Sequence, residues 1–201
     1  MKIIQKICSK NLNGEQLKSA IEMGKIQPFN EIEFFLKNGT LTCAVCGGRV
    51  GAHTRFLMKT PIGYNFMNYT ATNKGSYYNS EGRYYVNEFL SKLFLKDLEE
   101  IITPRHFEED GYTYDDKFWI PSVFDIFSHN KAWPTQTKDV YMGIFSNKQD
   151  RQLGSDWWLR SPAYIDENDK EINSFFVVDK EGELTYRRAD NTCGYVIGFD
   201  I

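Results

Sequence analysis

The sequence predicts an α+β fold, and three local patterns carry this prediction. Residues 13–23 place apolar side chains on one face at helical spacing, behind Asn13, a residue type that caps helices. Residues 31–46 contain two apolar runs joined by Asn38-Gly39, which is a strong hairpin signal. From residue 157 onward, short runs of aromatic and β-branched residues alternate with turn signals, as is typical of small antiparallel sheets.

The middle of the chain supplies the remaining elements. Residues 55–59 predict a third strand, and residues 61–79 predict a long polar and aromatic loop. Ser80 is placed to cap a helix, a second short helix covers about 95–102, and Ser122 begins a third helix with a capping box. The later strands are expected at residues 157–160, 174–179, 183–188 and 195–201.

Length and composition favour one domain with a small appendage. The chain has 201 residues, of which 41% are hydrophobic and 15% aromatic, and this is enough to bury a sizeable core. Pro28 interrupts the chain soon after the first helix. We therefore expect residues 1–28 to form a helical appendage and residues 29–201 to form the main domain.

Charge and hydropathy argue against several classes of protein. The net charge is −3 and the isoelectric point is about 5.7, so no broad basic field is present to hold a phosphate backbone. No apolar run approaches the roughly 18–20 residues that cross a membrane. The first residues are too short and too interrupted for a signal peptide. We expect no direct nucleic-acid binding, no membrane insertion and no secretion by a signal peptide.

The most specific part of the sequence is the Trp-Trp-Leu-Arg-Ser-Pro segment at residues 157–162. On a strand, Trp158 and Arg160 would point to the same face. An arginine beside large rings in a core needs a carboxylate partner, because burying an unpaired guanidinium group is very costly. We expect Asp125 and Glu81 to be the partners, in a clamp between this strand and the long loop. The residues assigned to this structural clamp are Arg160, Asp125, Glu81, Arg83 and Trp158.

Aromatic and amide side chains, most of them on the long loop, are candidates for a binding surface. Tyrosine and tryptophan give a large contact area and are enriched at interface hot spots. Packing in the core is the alternative role for each of them. The candidate binding residues are Asn68, Asn73, Tyr77, Tyr78, Trp133 and Trp157.

Cys43 and Cys46 form a Cys-x-x-Cys-Gly pattern, which has the shape of a zinc knuckle. On an extended strand, however, the two thiols would point to opposite faces, which favours small apolar core residues. We expect no metal and no cofactor. The alternatives are a redox pair or a zinc site that uses Cys43, Cys46 and His53. A zinc site needs a second ligand pair, and the plausible donors for it are His53, His106, Cys193 and Cys8.

Several segments occur in the order seen in one known family. They are Met67-Asn68-x-Thr70-x-x-Asn73-x-Gly75, Ser80-x-x-Arg83, Trp119-x-Pro121-Ser122-x-x-Asp125, the segment 157–162, Val177-Val178 followed by Gly182, and the Gly-rich end at 194–201. Over about residues 30–201 the chain resembles an uncharacterised domain family of Firmicutes, their prophages and phages. One departure lies at Gly194-Tyr195-Val196-Ile197, where relatives carry Gly-Val-Arg-Pro-like residues.

The resemblance implies a C-type-lectin-like fold, with short twisted antiparallel sheets, two or three short helices and long ordered loops. Because the sequence shows neither a membrane span nor a signal peptide, we expect the protein in a host cytoplasm or in a phage particle assembled there. Fold alone does not carry function. The sequence lacks the Pro-flanked carboxylate/amide pair and the Trp-Asn-Asp strand of calcium-dependent lectins, so calcium-dependent sugar binding is disfavoured. Formylglycine-type chemistry is also disfavoured, because it uses paired reactive cysteines near the C-terminus and only Cys193 is present there.

Three functional hypotheses remain. The first is a non-enzymatic binding module of phage or prophage origin, which recognises a protein, or alternatively a glycan, through a rigid loop surface. The second is an intracellular phage accessory protein that inhibits a host defence complex such as a CRISPR nuclease. The third is a zinc or redox protein that uses Cys43 and Cys46. No nucleophile-elbow, His-Glu-x-x-His or phosphate-loop motif occurs, so we expect no enzymatic activity.

Overall fold

The computed structural model describes residues 6–7, 13–128, 140–163 and 173–201. Within these ranges the protein is a mixed α+β structure dominated by short strands. The α-helices are α1 (Gly14–Glu22), α2 (Glu81–Tyr85), α3 (Lys96–Ile101) and α4 (Val123–Phe127). The strands are β1 (Lys6–Ile7), β2 (Glu31–Phe35), β3 (Leu41–Val50), β4 (His53–Met58), β5 (Tyr64–Asn65), β6 (Arg105–Glu109), β7 (Tyr112–Asp116), β8 (Phe118–Trp119), β9 (Trp157–Ala163), β10 (Ser174–Val178), β11 (Leu184–Arg188), β12 (Cys193–Gly194) and β13 (Gly198–Asp200).

The helices begin where the sequence predicts them to begin. Asn13 caps α1, where its side-chain oxygen accepts a hydrogen bond from the backbone N–H of Gln16 at 2.9 Å. Ser122 and Asp125 form the expected capping box at α4, with each side chain accepting from the backbone N–H of the other residue. These bonds satisfy N–H groups that a helix start otherwise leaves without partners.

The helix that begins after Ser80 changes its geometry along its length. After α2, the residues Val86–Leu90 form a π-helical turn, and Ser91–Leu93 form a 3-10 turn. The Asn87 side chain donates to the carbonyl of Arg83 at 3.1 Å, and the Ser91 hydroxyl donates to the carbonyl of Asn87 at 2.5 Å. Such side-chain bonds compete with the regular helical ladder and bend it.

The described strands form two larger sheets and one hairpin. The six-stranded sheet has the order β1-β2-β3-β4-β13-β8, and the five-stranded sheet has the order β11-β10-β9-β12-β5. Neighbouring strands are antiparallel except for β1 beside β2 and β12 beside β9. The strand expected at 195–201 is shorter than predicted, because only Gly198–Asp200 form β13, in the six-stranded sheet. Just before it, Cys193–Gly194 form β12 in the five-stranded sheet. The last residues therefore join the two sheets.

The hairpin of β6 and β7 is an element that our sequence reading missed. Its turn is Asp110-Gly111, and both residues have positive φ angles, of 51° and 80°. Two consecutive positive φ angles are the mark of a type I′ turn, which joins strands at their natural twist. The Asp-Gly pair is itself a hairpin signal, so this element was predictable from the sequence.

The N-terminal segment shares the core of the domain. The helix expected at residues 13–23 is present, and Leu17 on its inner face is buried together with Ile26. The backbone N–H of Gly14 donates to the Asp97 side chain on α3 at 3.2 Å. Residues 13–28 are therefore packed against the rest of the protein. Among the described residues, no helix has the length and apolarity needed to cross a membrane.

Candidate functional site

Strand β9 contains the Trp-Trp-Leu-Arg-Ser-Pro segment and lies in the centre of the five-stranded sheet. All seven of its residues are buried, so both of its faces pack against protein. Trp158 donates its indole N–H to the carbonyl of Asn65 at 3.0 Å, and Trp157 donates to the carbonyl of Arg151 at 3.2 Å. Both tryptophans are therefore anchored in the core, and Trp157 is not the surface residue that we expected.

Arg160 is fully buried and is held by charged and neutral oxygen atoms. Its Nε donates to Glu109 at 2.8 Å, and its Nη1 donates to Asp125 at 2.7 Å. Nη1 also donates to the carbonyl of Ile120 at 2.9 Å, and the guanidinium lies 4.8 Å from the centre of the Phe107 ring. Asp125 is thus one of the expected partners. The contacts described for Arg160 do not include Glu81, and Glu109 takes the place that we assigned to it.

The ion pairs around Arg160 extend into a larger cluster. Arg105 donates to the second oxygen of Asp125 at 3.3 Å. Arg55 forms two hydrogen bonds with Asp200, at 3.1 and 3.2 Å. The guanidinium groups of Arg55 and Arg105 lie 5.3 and 4.4 Å from the centre of the Trp119 ring. We call Arg55, Arg105, Arg160, Glu109, Asp125 and Asp200 the buried charge cluster.

Charged neighbours in and beside this cluster shift the pKa values of Asp125 and Tyr114. Burial by itself raises the pKa of Asp125, but the guanidinium groups of Arg105 and Arg160 outweigh that effect and hold its pKa well below its usual range. Burial and the Glu109 carboxylate raise the pKa of Tyr114, whose hydroxyl donates to Glu109. Asp125 is therefore ionised and the Tyr114 phenol is neutral at physiological pH.

Arg83 forms a second, shallower ion pair near the start of α2. Its Nε and Nη2 donate to the two oxygens of Asp116 at 2.9 and 2.8 Å. The guanidinium lies 5.1 Å from the centre of the Tyr78 ring and 4.4 Å from that of Tyr114. Arg83 therefore ties the long loop to β7, which is the structural role we expected, although its carboxylate partner lies on the hairpin that the sequence reading missed.

The long loop at residues 61–79 is fastened by buried amides. Asn68 donates to the carbonyl of Thr72, and its side-chain oxygen accepts from the N–H of Glu81 at 3.2 Å. Asn73 donates to the carbonyls of Ala163 and Ser174 at 3.1 and 2.9 Å, and so joins the loop to the ends of β9 and β10. Neither amide is on the surface, which corrects our assignment of both residues to a binding surface.

The aromatic residues predicted for the surface are mostly in the interior. Tyr77 is fully buried, and burial raises its pKa well above the usual value. Tyr78 is half-buried and stacks on Tyr112 with ring centres 4.7 Å apart. Trp133 lies outside the described residues. The aromatic character of the loop is thus used largely for packing, because large rings gain most from leaving water.

Other aromatic side chains from the same region are exposed instead. Tyr69 is the most open, with 72% of its surface accessible, and its ring packs 4.5 Å from that of Phe66. The exposed rings on this part of the chain, which we call the aromatic surface, are Tyr64, Tyr69, Tyr84 and Phe89.

Ring contacts join two members of the aromatic surface, Tyr84 and Phe89, to each other. Phe89 lies 5.9 Å from both Tyr84 and Tyr85, measured between ring centres. Gly63, next to Tyr64, approaches Tyr85 so closely that an added Cβ would lie 2.8 Å from its hydroxyl oxygen. The rings of Tyr84 and Tyr85 thus both lie beside that of Phe89, and the Tyr64 hydroxyl is bonded to that of Ser155 at 3.2 Å. Tyr69 packs on Phe66, whose carbonyl accepts from Tyr195, and the Tyr195 ring packs against that of Tyr85.

Comparison with protein families gives one match. A family model described as a domain of unknown function, DUF6273, matches residues 53–196. The match covers most of the chain. The protein belongs to the DUF6273 family. No curated protein and no solved structure matches it. The matched DUF6273 region contains the aromatic surface and every member of the buried charge cluster except Asp200.

The two cysteines of the Cys-x-x-Cys-Gly pattern lie on β3, outside the matched DUF6273 region. Cys46 is buried, whereas Cys43 is half-buried and directs its sulfur toward Glu31 at 3.7 Å. Burial and the nearby Glu31 carboxylate raise the pKa of Cys43 to about 12, and burial also raises that of Cys46. His53 contacts Thr103 at 3.1 Å. Among the described residues, no group of three or more histidine, cysteine or acidic side chains is arranged to hold a metal ion.

Proposed function

We propose that this DUF6273 domain is a non-enzymatic binding module that recognises a protein partner through its aromatic surface. The observation that carries the proposal is the exposure of Tyr64, Tyr69, Tyr84 and Phe89 within one short stretch of the chain. Isolated exposed apolar residues are ordinary, but exposed large rings that pack together, as Tyr84 and Phe89 do with ring centres 5.9 Å apart, are typical of an interaction site. Aromatic residues are also enriched among those that dominate binding energy.

The order of the loop beneath these rings supports the same function. The buried amides of Asn68 and Asn73 fix the backbone between residues 68 and 81 and attach it to β9 and β10. A loop fixed before binding loses less conformational entropy when a partner docks. The π-helical turn at Val86–Leu90, which carries Phe89, is a rare geometry that occurs often at functional sites.

The proposal also includes a C-type-lectin-like fold and a phage or prophage origin for the domain. Two small, mainly antiparallel sheets, short helices and a long fastened loop are consistent with a C-type-lectin-like fold. The resemblance of residues 30–201 to domains of Firmicutes phages and prophages supports a phage or prophage origin. Inhibition of a host defence complex would be one use of such a binding surface.

Affinity capture with matched variants tests the proposal. The full-length protein is immobilised and exposed to a lysate of a Firmicutes host, and each captured protein is identified, purified and titrated against it. The double variant Tyr84→Ala/Phe89→Ala is expected to lower the affinity for a genuine partner about 100-fold, because each hot-spot ring contributes at least ~1.4 kcal/mol to binding. Tyr186→Ala removes an exposed ring from β11, outside the aromatic surface, and is the control.

The outcome that would reject this function is equally specific. A partner that binds the double variant and the wild-type protein with the same affinity would show that the aromatic surface is not the site. Thermal unfolding of both variants must stay close to that of the wild-type protein, since all three substituted rings are largely exposed.

A further inference from the structure

The turn between β2 and β3 contains an asparagine followed by a glycine, a pair that can react with itself. The chain has two such pairs, Asn13-Gly14 and Asn38-Gly39. The backbone nitrogen of the glycine can attack the side-chain amide carbon of the asparagine, because glycine has no Cβ that hinders a close approach. Asparagine is accordingly among the thermolabile residues of proteins. Both pairs have the same chemistry, so only their surroundings can make them react differently.

The surroundings of Asn38-Gly39 leave this reaction room. Asn38, Gly39 and the following Thr40 are all exposed. Gly39 has a φ angle of 81°, and no described atom outside its two neighbours lies within 4 Å of the place that a Cβ would occupy. The N–H of Gly39 donates to the carbonyl of Leu36 at 2.9 Å. Hydrogen bonds in exposed turns open at a low cost in free energy, so this nitrogen can be released without disturbing the core.

The asparagine side chain in this turn is held by a donor at the oxygen where charge would develop. The backbone N–H of Thr40 donates to Oδ1 of Asn38 at 3.0 Å. When a nucleophile adds to the amide carbon, negative charge develops on Oδ1, and an N–H group already in place stabilises it. The turn therefore supplies both an accessible nucleophile and a donor to the oxygen atom.

Asn13-Gly14 has a similar donor but a confined nucleophile. Oδ1 of Asn13 accepts from the N–H of Gln16 at 2.9 Å, so the two sites do not differ in this respect. Gly14, however, is the first residue of α1 and is buried, and a Cβ on it would collide with the backbone of Asp97 in α3. Its N–H donates to the Asp97 carboxylate at 3.2 Å. Ring closure would remove this bond to a charged acceptor, which is stronger than a bond to a neutral carbonyl.

We propose that Asn38 is a site of spontaneous deamidation in the folded protein, whereas Asn13 is protected by its packing. Hydroxide removes the proton of the Gly39 nitrogen, which forms a bond to Cγ of Asn38. The bond from Cγ to Nδ2 breaks, and Nδ2 takes a proton from water and leaves as ammonia. Water then adds to either carbonyl carbon of the cyclic imide and opens the ring, which gives aspartate or isoaspartate. The reaction needs no oxidant and no reductant.

The products change the charge of the turn and, for isoaspartate, its length. Each event adds one negative charge to a chain whose net charge is −3. Isoaspartate also adds one methylene group to the main chain between residues 38 and 39. The turn is joined to the residues after α2 by the N–H of Lys37, which donates to the carbonyl of Leu93 at 2.7 Å. The inference is independent of the proposed protein-binding function, because it rests on none of the residues of the aromatic surface.

Incubation of the full-length protein followed by peptide mass spectrometry tests the proposal. Samples kept at neutral and at mildly alkaline pH are digested at intervals, and the mass gain of each Asn-Gly peptide is measured. Fragmentation distinguishes isoaspartate from aspartate, and an unincubated sample corrects for deamidation during digestion. A parallel sample in concentrated urea gives the rate of each pair without the fold. We expect both pairs to react in urea, but only Asn38 of the two to react in the folded protein, and to react faster at the alkaline pH.

Asn38→Gln is the matched variant, because it keeps the amide but lengthens the side chain, so that attack by Gly39 would require a larger ring. The substituted position is exposed, and thermal unfolding verifies that the variant is folded. We expect its peptide at residue 38 to lose the mass gain. An Asn38 that stays intact in the folded protein over the time in which it reacts in urea would overturn the proposal. So would an Asn13 that reacts as fast as Asn38 in the folded protein.

Discussion

Arg160 is a cation that the fold accommodates in its interior by placing two carboxylates around it. Transfer of a charge from water into protein costs several kcal/mol, and this cost is offset only when ion pairs and hydrogen bonds have good geometry. Glu109 and Asp125 provide such geometry at 2.8 and 2.7 Å. The loss of one partner therefore leaves an uncompensated buried charge, which is more harmful than the loss of a surface ion pair.

Glu109→Ala is expected to lower the free energy of unfolding by about 3–5 kcal/mol, because it removes one of the two carboxylates that the described residues place against Arg160. Glu81→Ala is the matched control, since Glu81 was the partner predicted from the sequence, and we expect it to change stability by less than about 0.5 kcal/mol. Urea unfolding followed by tryptophan fluorescence measures both. Equal effects of the two substitutions would contradict the assignment of Glu109.

Asp125 is expected to make the stability depend on acidic pH. Its pKa is lowered in the folded protein by Arg105 and Arg160, so the ionised carboxylate stabilises the fold at neutral pH. The sign follows from linkage: this stabilisation is complete well above the unfolded pKa of about 4 and is lost as the pH falls from there toward the lower folded pKa.

Urea unfolding between pH 7 and pH 3 measures this dependence. The wild-type protein should lose more stability over that interval than Asp125→Asn, in which the titrating group is absent. Parallel pH profiles for the two proteins would show that Asp125 does not carry the acid sensitivity.

The long loop is the element whose order depends most on single side chains. Asn73 connects it to two neighbouring strands, β9 and β10, through bonds to Ala163 and Ser174. A loop of this length without regular structure needs such bonds, because its own backbone ladder is missing. Hydrogen bonds from buried side-chain amides, rather than local backbone preference, therefore hold this loop in one conformation.

Asn73→Ala is expected to destabilise the protein by about 1–3 kcal/mol, because two buried strand carbonyls lose their donor. Asn79→Ala, at an exposed position of the same loop, should have little effect on stability. Hydrogen exchange of the loop amides gives the more direct measurement. Unchanged exchange in residues 66–80 of the Asn73 variant would show that this amide does not fasten the loop.

At the scale of the whole molecule, the N-terminal segment behaves as part of one core. Leu17 and Ile26 are buried in the same hydrophobic cluster as the strands of the six-stranded sheet. Burial of a side chain of this size contributes about 1.5–3 kcal/mol. The family match begins only at residue 53, so this packing extends the domain beyond the region that the DUF6273 model matches.

Removal of residues 1–28 is therefore expected to lower the stability of the remaining chain by several kcal/mol, since it exposes the apolar surface that Leu17 and Ile26 cover. Calorimetry of residues 29–201 and of the full chain gives the two melting temperatures. One cooperative transition in the full chain and a lower one in the shortened chain is the expected result. Identical melting temperatures would instead show that the segment is an independent appendage, as the sequence first indicated.

Local features of the fold were predictable because short-range rules govern them. The caps at Asn13 and Ser122 and the Asn38-Gly39 turn all lie where the sequence places them. The β6–β7 hairpin was predictable too, from Asp110-Gly111. The pairing of β12 and β13 with two different sheets was not, because the choice of neighbour depends on contacts with distant strands.

The sequence by itself determined that this protein is an α+β domain, that its helices begin at particular caps, and that Arg160 requires buried carboxylates. Only the tertiary structure decided which carboxylates these are and which aromatic rings face the solvent. Glu109 and Arg160 are 51 positions apart, and Asn73 and Ser174 are 101 apart. Burial and ion pairing arise from such long-range contacts, whereas capping and turn rules act over only a few residues.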